Sequence, residues 1–239
     1  MGKLHKKITP EFADFIARQK VFFVATAPAD VSHRVNVSPR APGSSVAVLD
    51  EHTIAMADLS GSGAETAAHL MQTDGRMTLL FVNIEEGPPK ILRLFGRATI
   101  KLPAEVSPDL ASRFPPSLTT KNHGWRAVYV LKVDRITTSC GYSMPVLRFE
   151  SYRSMLDDFS AKKGNDGMVD YRRLKNSFSI DGAPSLSVLC DYAVKVAPGT
   201  PAGYYWASAI PEGDAEARRQ ARRRAEALQA TPARGGQAA

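Results

Sequence analysis

The first residues whose types and spacing could do chemistry are Asn36-Val37-Ser38-Pro39-Arg40. On a β-strand successive side chains point to opposite faces, so Asn36, Ser38 and Arg40 would share one face. An amide, a hydroxyl and a guanidinium in a row at a strand end suit a phosphate, because several charge-assisted hydrogen bonds can converge on its oxygens. A polar strand edge meeting solvent would read the same way. The second candidate is Ser60-Gly61-Ser62-Gly63-Ala64-Glu65-Thr66, running into a helix. Glycines let successive N–H groups turn toward an anion, a helix start adds partial positive charge, and Ser62 and Thr66 could add hydroxyls. The stretch is neither a dinucleotide fingerprint nor a Walker loop, whose lysine is missing. A plain glycine-rich turn with Ser62 capping a helix is the alternative. Glu65 fits an anion site only if it points away.

Other reactive residue types carry weaker signals. Cys140 as a nucleophile would need a nearby base or cation, and the nearest histidine in sequence is His123. A packed thiol is the alternative. Tyr142 fits a ring-edge contact or a core or interface position equally well. His69 on the expected helix reads as a surface or packed residue. Arg93 and Arg97 share one face of a strand and read as solvated charges. Neither Cys140 nor Cys190 has a second cysteine or a histidine at metal-ligand spacing, so no metal site is expected.

The elements that must position these residues follow from the hydrophobic pattern. Thr9-Pro10 ahead of Phe12, Phe15 and Ile16 predicts a short amphipathic helix with proline at its first position. Val21 to Thr26 is β-branched and aromatic, as a buried strand is. Arg34 to Ser38 alternates apolar with polar, as a half-buried strand does. Val46 to Leu49 and Thr53 to Ala57 form a hairpin across Asp50-Glu51-His52. Glu65 to Gln72 is helical, with Ala67, Ala68, Leu70 and Met71 as core candidates, and Asp74-Gly75 ends it. Met77 to Ile84 and Ile91 to Ile100 are strands, Ser107 to Phe114 a short helix, and Ala127 to Val133 the last strong strand. Glu150 to Lys162 and Met168 to Lys175 read as helices joined at Gly164-Asn165-Asp166-Gly167. One helix inserted among many strands favours a mainly β, antiparallel Greek-key barrel over a parallel α/β sheet, where a helix should follow each strand.

Composition sets the outer bounds. The 239 residues are 44% hydrophobic and 23% charged, which is ordinary for a globular protein. Two cysteines make no disulfide framework, so a reducing, cytoplasmic setting is expected. No run has the length of a membrane span, and the N-terminus lacks an apolar signal core. Of the formal charge of +7, six arginines against three acids from Asp214 onward supply +3. The remainder is too dilute for a phosphate-tracking stripe, which argues against nucleic acid as a partner. The run Arg218, Arg219, Arg222, Arg223 and Arg224 covers much of a helix circumference and reads as a solvated helical tail.

The order of the two polar segments, a basic strand end followed by a strand and a glycine-serine loop opening a helix, resembles the FMN-binding half of pyridoxamine 5′-phosphate oxidase-like proteins. It is similar to a subgroup with Asn-x-Ser-Pro-Lys/Arg, Gly-Ser-Gly-x-Glu-Thr and Ser-Cys-Gly-Tyr motifs, here Asn36 to Arg40, Gly61 to Thr66 and Ser139 to Tyr142. Lys175-Asn176 and Ser179-Ile180-Asp181-Gly182 also fit that subgroup. The resemblance covers about residues 1–185 and implies a split β-barrel domain over 1–148. It leaves a helical extension packed on the barrel over 149–185, and an irregular apolar segment with an Arg-rich tail, disordered at its end, over 186–239. The implied cofactor is FMN. Ser38, Arg40, Ser62 and Thr66 would hold its phosphate, and Asn36 with the backbone near Val37 would meet the ribityl chain or ring edge. Ser60, Gly61, Gly63, Cys140 and Tyr142 would complete the pocket. Authentic pyridoxamine phosphate oxidases end in an arginine- and histidine-bearing substrate segment, where this chain has Cys140 to Pro145 and helices. The resemblance therefore implies FMN binding and does not extend to vitamin oxidation.

Such barrels build the flavin pocket from two subunits, so a homodimer is implied. The expected function is an oxidoreductase passing hydride or electrons through FMN to or from a small molecule, with NAD(P)H as one such partner. A non-catalytic carrier of flavin, haem or deazaflavin, and a nucleic-acid-associated protein acting through its tail, are the alternatives.

Overall fold

In the computed structural model, which describes residues 2–72 and 74–186, the chain forms one antiparallel sheet of eight strands with peripheral helices. In chain order these are β1 (Lys3–His5), α1 (Pro10–Arg18), β2 (Phe22–Thr26), β3 (Asn36–Arg40), β4 (Val46–Asp50), β5 (Thr53–Leu59), α2 (Glu65–Leu70), β6 (Arg76–Val82), β7 (Lys90–Lys101), α3 (Pro108–Ser112), β8 (Trp125–Cys140) and α4 (Met155–Lys175). The sheet runs β3-β2-β6-β7-β8-β5-β4, with β1 paired to β8. It curls around its core and stays open between β3 and β4, which is the split Greek-key barrel expected from the pattern.

Each element forms for a local reason. The Thr9 hydroxyl accepts from Phe12 N at 3.3 Å and starts α1, whose Phe12, Phe15 and Ile16 are buried. Burying three such side chains contributes about 1.5–3 kcal/mol each. Strand alternation then carries Phe22 and Val24 on β2, Ile54 and Met56 on β5, Leu79 and Phe81 on β6, and Leu92 and Leu94 on β7 into the same core. Pro39 is tolerated in β3 because that strand lies at the sheet edge, paired only with β2.

The spine is β8. One of its edges pairs with β7 over nearly its full length, and the other is shared between β5 and β1. A bulge opposite Phe95/Gly96 bends this pair, and a Cβ on Gly96 would run into the Lys132 carbonyl.

Two expectations are corrected here, and one strand pairing was not foreseen. The last strand was expected to stop at Val133 but continues to Cys140, because Ile136 is buried and Thr137 and Ser139 still pair across β7. The pairing of Lys3 to His5 with Ile136 to Thr138 joins chain segments too distant for any local pattern to reveal. The helix expected from Glu150 begins at Met155, and residues 141–154 contain turns but no helix or strand. Gly164, at φ 63°, breaks the helical run as anticipated. That long segment leaves Tyr142, Val146, Leu147, Tyr152 and Met155 well exposed. Of the segment expected over 186–239, residues 187–239, with Cys190 and the Arg-rich tail, lie outside the described residues.

Candidate functional site

Alternation along β3 does what the sequence pattern requires: Asn36, Ser38 and Arg40 are half-buried on one face, while Val37 and Pro39 are exposed on the other. The face meets α2, where Thr66 and His69 lie three residues apart and so on one side of the helix. Asn36 Nδ2 donates to Thr66 Oγ1 at 3.3 Å and, more distantly, to Thr26 Oγ1 at 3.5 Å. Ser38 Oγ donates to Asn36 Oδ1 at 3.1 Å. Thr26 Oγ1 lies 3.0 Å from His69 Nδ1. Burial lowers the pKa of His69, against a hydrogen bond to the Thr26 backbone and the field of Glu65 that both raise it.

At the far end of β3 the polar row enters a charged interior. Asp58, at the end of β5, is 2% exposed and its Oδ2 accepts from Arg126 Nε at 2.7 Å and from Tyr129 OH at 2.8 Å. Arg40 Nε lies 3.7 Å from Asp58 Oδ1, within ion-pair range but beyond a hydrogen bond, and it is buried without a hydrogen-bond partner. Burial opposes ionisation of Asp58. The fields of Arg126 and then Arg40, with hydrogen bonds from Arg126 and Tyr129, outweigh it and hold the carboxyl below its ordinary value. Two guanidinium groups thus face one carboxylate. Arg126 is held further through Nη1, which donates to Asn176 Oδ1 at 2.9 Å and to Gly63 O at 3.0 Å. The surplus positive charge belongs to Arg40.

Arg40, Asp58, Gly61, Gly63 and Arg126 line one cavity of about 240 Å³. The strand end and the glycine-serine loop therefore share a cleft. An orphaned, buried guanidinium N–H beside a glycine loop fits an anionic group, and a phosphate supplies the acceptors Arg40 lacks. Glu65, which would repel an anion, is turned back: its Oε2 accepts from Ala64 N at 3.0 Å and its Oε1 from Ile180 N at 3.3 Å.

The remaining expected residues fall in different places. Thr66 is buried and held by Asn36, with its own proton still to donate. Ser62 is exposed at the rim rather than lining the cavity. Ser60 is fully buried, its hydroxyl donating to Gly124 O at 2.8 Å and accepting from Arg172 Nε at 2.7 Å, so it serves the loop from behind. Cys140 and Tyr142 are not brought to this cleft within one chain. Cys140 is fourteen residues beyond Arg126 on β8, about 45 Å along the strand, and Tyr142 is 84% exposed. Tyr142 lines a separate cavity of about 380 Å³ with Asn83, Pro89 and Met144. Arg93 donates to Ser139 Oγ at 3.1 Å, and Arg97 stands 3.9 Å from Asp134.

Sequence reasoning missed Asp58, Arg126 and Tyr129. The available signal was an aspartate at the inward-facing position that continues Ile54 and Met56, where a charge needs a partner. No cluster of three metal-ligating side chains occurs among the described residues, and none of their helices is long and apolar enough to cross a membrane.

A family model described as pyridoxamine 5′-phosphate oxidase matches residues 8–140. The pyridoxamine 5′-phosphate oxidase family protein ustO of Aspergillus flavus is 32% identical over 201 residues, covering 78% of each chain. Among solved structures, H111A HupZ of Group A Streptococcus overlaps 55% of this chain and 99% of its own, with a TM-score of 0.41 and 22% identity. A FAD-binding protein of Mesorhizobium loti overlaps 58% of this chain and 96% of its own, with a TM-score of 0.39 and 12% identity.

Proposed function

The chain belongs to the pyridoxamine 5′-phosphate oxidase family, and from that premise we propose that it is an FMN-binding flavoprotein that works as an oxidoreductase on a small molecule. The observation that carries the reading is Arg40: a buried guanidinium N–H without a partner, in a net positive cavity walled by Gly61 and Gly63. In this reading Arg40 meets the phosphate inside the cavity, and Ser38, Ser62 and Thr66, none of them in its lining, add hydroxyls from outside it, each charge-assisted hydrogen bond contributing about 1.5–3 kcal/mol. Asn36 and the backbone at Val37 face the ribityl chain or ring edge. When bound, FMN supplies hydride or electron transfer, and the protein supplies position and electrostatics. The second redox partner is NAD(P)H or a small organic molecule.

A second copy of the chain completes the pocket in this reading. The exposed apolar side chains of residues 141–156 support it, since a surface of that kind rarely stays bare. Cys140 and Tyr142 then reach a flavin across the dimer rather than within one chain. The exposed, unpaired thiol of Cys140 fits a reducing, cytoplasmic setting.

The test is the absorbance of the purified chain and the mass of what acid releases from it. Flavin bands in the near ultraviolet and blue, with FMN released in about one copy per chain, are expected. A colourless chain that takes up no added FMN overturns the proposal.

A further inference from the structure

The loop from Ser60 to Glu65 sorts its backbone groups by direction. Its carbonyls are fastened inward. Gly61 O accepts from Asn176 Nδ2 at 3.0 Å, Gly63 O from Arg126 Nη1 at 3.0 Å, and Ala64 O from Ser185 Oγ at 2.7 Å. Three of its N–H groups are also occupied: Ser60 N by Gly124 O, Gly61 N by Leu59 O, and Ala64 N by Glu65 Oε2. Among the described residues the N–H groups of Ser62 and Gly63 have no partner, and both residues are exposed.

Asn176 is the centre of this arrangement. It is fully buried where α4 ends, and both halves of its amide are committed. Its Oδ1 accepts from Arg126 Nη1 at 2.9 Å, and its Nδ2 donates to Gly61 O at 3.0 Å and, at the long limit, to Gly63 O at 3.5 Å. Guanidinium only donates and carbonyl only accepts, so the amide has one satisfied orientation. Reversing it would set NH₂ against guanidinium and oxygen against two carbonyls. The same segment is tied down by Arg172, whose Nη2 donates to His123 O at 2.6 Å and to Trp125 O at 3.1 Å.

We infer that Asn176 is a positioning residue for phosphate recognition: by holding the Gly61 carbonyl inward, it aims the Ser62 N–H of the same peptide group at the phosphate that Arg40 faces. The inference rests on the FMN reading and adds the element that makes the site select a phosphorylated flavin over a bare one. The Gly61 carbonyl and the Ser62 N–H lie on opposite sides of one planar peptide group, so fixing one fixes the other. A loop left free would present either to the cleft, and a carbonyl there repels the anion. Asn176 does not touch the ligand. Its effect is on discrimination.

The experiment titrates FMN and riboflavin into the flavin-free full chain and follows flavin fluorescence. Asn176→Asp keeps the shape and the acceptor for Arg126 but removes the donor to both carbonyls. It should weaken FMN binding at least tenfold and riboflavin binding less than twofold, whereas a merely destabilising change would weaken both alike. Asn176→Ala, which adds no charge, should lower the FMN-to-riboflavin preference in the same direction. In the wild-type chain, titration with inorganic phosphate should shift the amide resonance of Ser62 most, a readout that needs neither variant to fold. A wild-type chain that prefers FMN while Asn176→Asp keeps the full preference overturns the positioning role alone, as does a phosphate titration that leaves the Ser62 amide unmoved. A wild-type chain that binds no flavin overturns this inference together with the FMN reading.

Discussion

Arg40 Nε stands 3.7 Å from Asp58 Oδ1, short of a hydrogen bond, while Asp58 Oδ2 accepts from both Arg126 and Tyr129. The pair is therefore an incomplete one. Asp58 holds the guanidinium in place and offsets only part of the positive charge of two arginines. What remains is aimed at the cleft shared with Gly61 and Gly63.

The Asp58–Arg126 contact is the part of this network that stability depends on, since both side chains are almost fully buried. Asp58→Asn keeps the shape but leaves two guanidinium groups without a counter-charge. Breaking a buried pair in this way costs about 3–5 kcal/mol, to be read as a lowered midpoint in urea unfolding. The sign with pH follows from the depressed carboxyl of Asp58. Its contribution is present above its ordinary value of 3.8 and is lost as pH falls through the lower folded value. The variant should show a flatter acid limb below about pH 4 than the wild type.

His69 gives a second, milder pH dependence. Burial holds its pKa below the ordinary 6.5, so the unfolded chain takes up a proton that the folded chain refuses. Stability from this residue is therefore undiminished above that value and declines as pH falls below it. Urea midpoints at pH 7.5 and 5.5 should differ more in the wild type than in His69→Gln. Equal differences in the two proteins would mean that His69 is free to protonate in the fold.

The exposed apolar segment after β8 makes a prediction about assembly. Val146 is 69% exposed, so Val146→Asp should leave the monomer fold intact by circular dichroism. Light scattering should find a dimer for the wild type and a larger monomer fraction for the variant. A monomeric wild type that still holds FMN contradicts the two-copy pocket.

What was legible in the sequence was local. Period-two alternation put Asn36, Ser38 and Arg40 on one face, and the glycine-serine loop announced itself by composition. Pro10 and Thr9 marked the start of α1. The rest depends on contacts between distant residues. Asp58 meets Arg126 across 68 positions, and Gly61 meets Asn176 across 115. A charge buried in a strand shows in the sequence only as an interruption, and its partner must be found in the fold. The length of β8 was hidden because Asp134 and Arg135 look like a strand end, although Arg135 still pairs with Phe95. Cys140 and Tyr142 show the limit in the other direction: their motif is distinct, yet one chain sets them at the opposite end of β8 from Arg126.

The central proposition is that Arg40 and the Gly61–Gly63 loop grip the phosphate of a flavin. Comparing FMN affinity of the flavin-free wild type with that of Arg40→Ala by fluorescence titration addresses it without intermediaries. The substitution should weaken FMN at least tenfold, about 1.4 kcal/mol or more, while riboflavin binding stays within twofold and the chain remains folded. Equal FMN affinity in the two proteins would remove Arg40 from the site and contradict the proposed anion cleft.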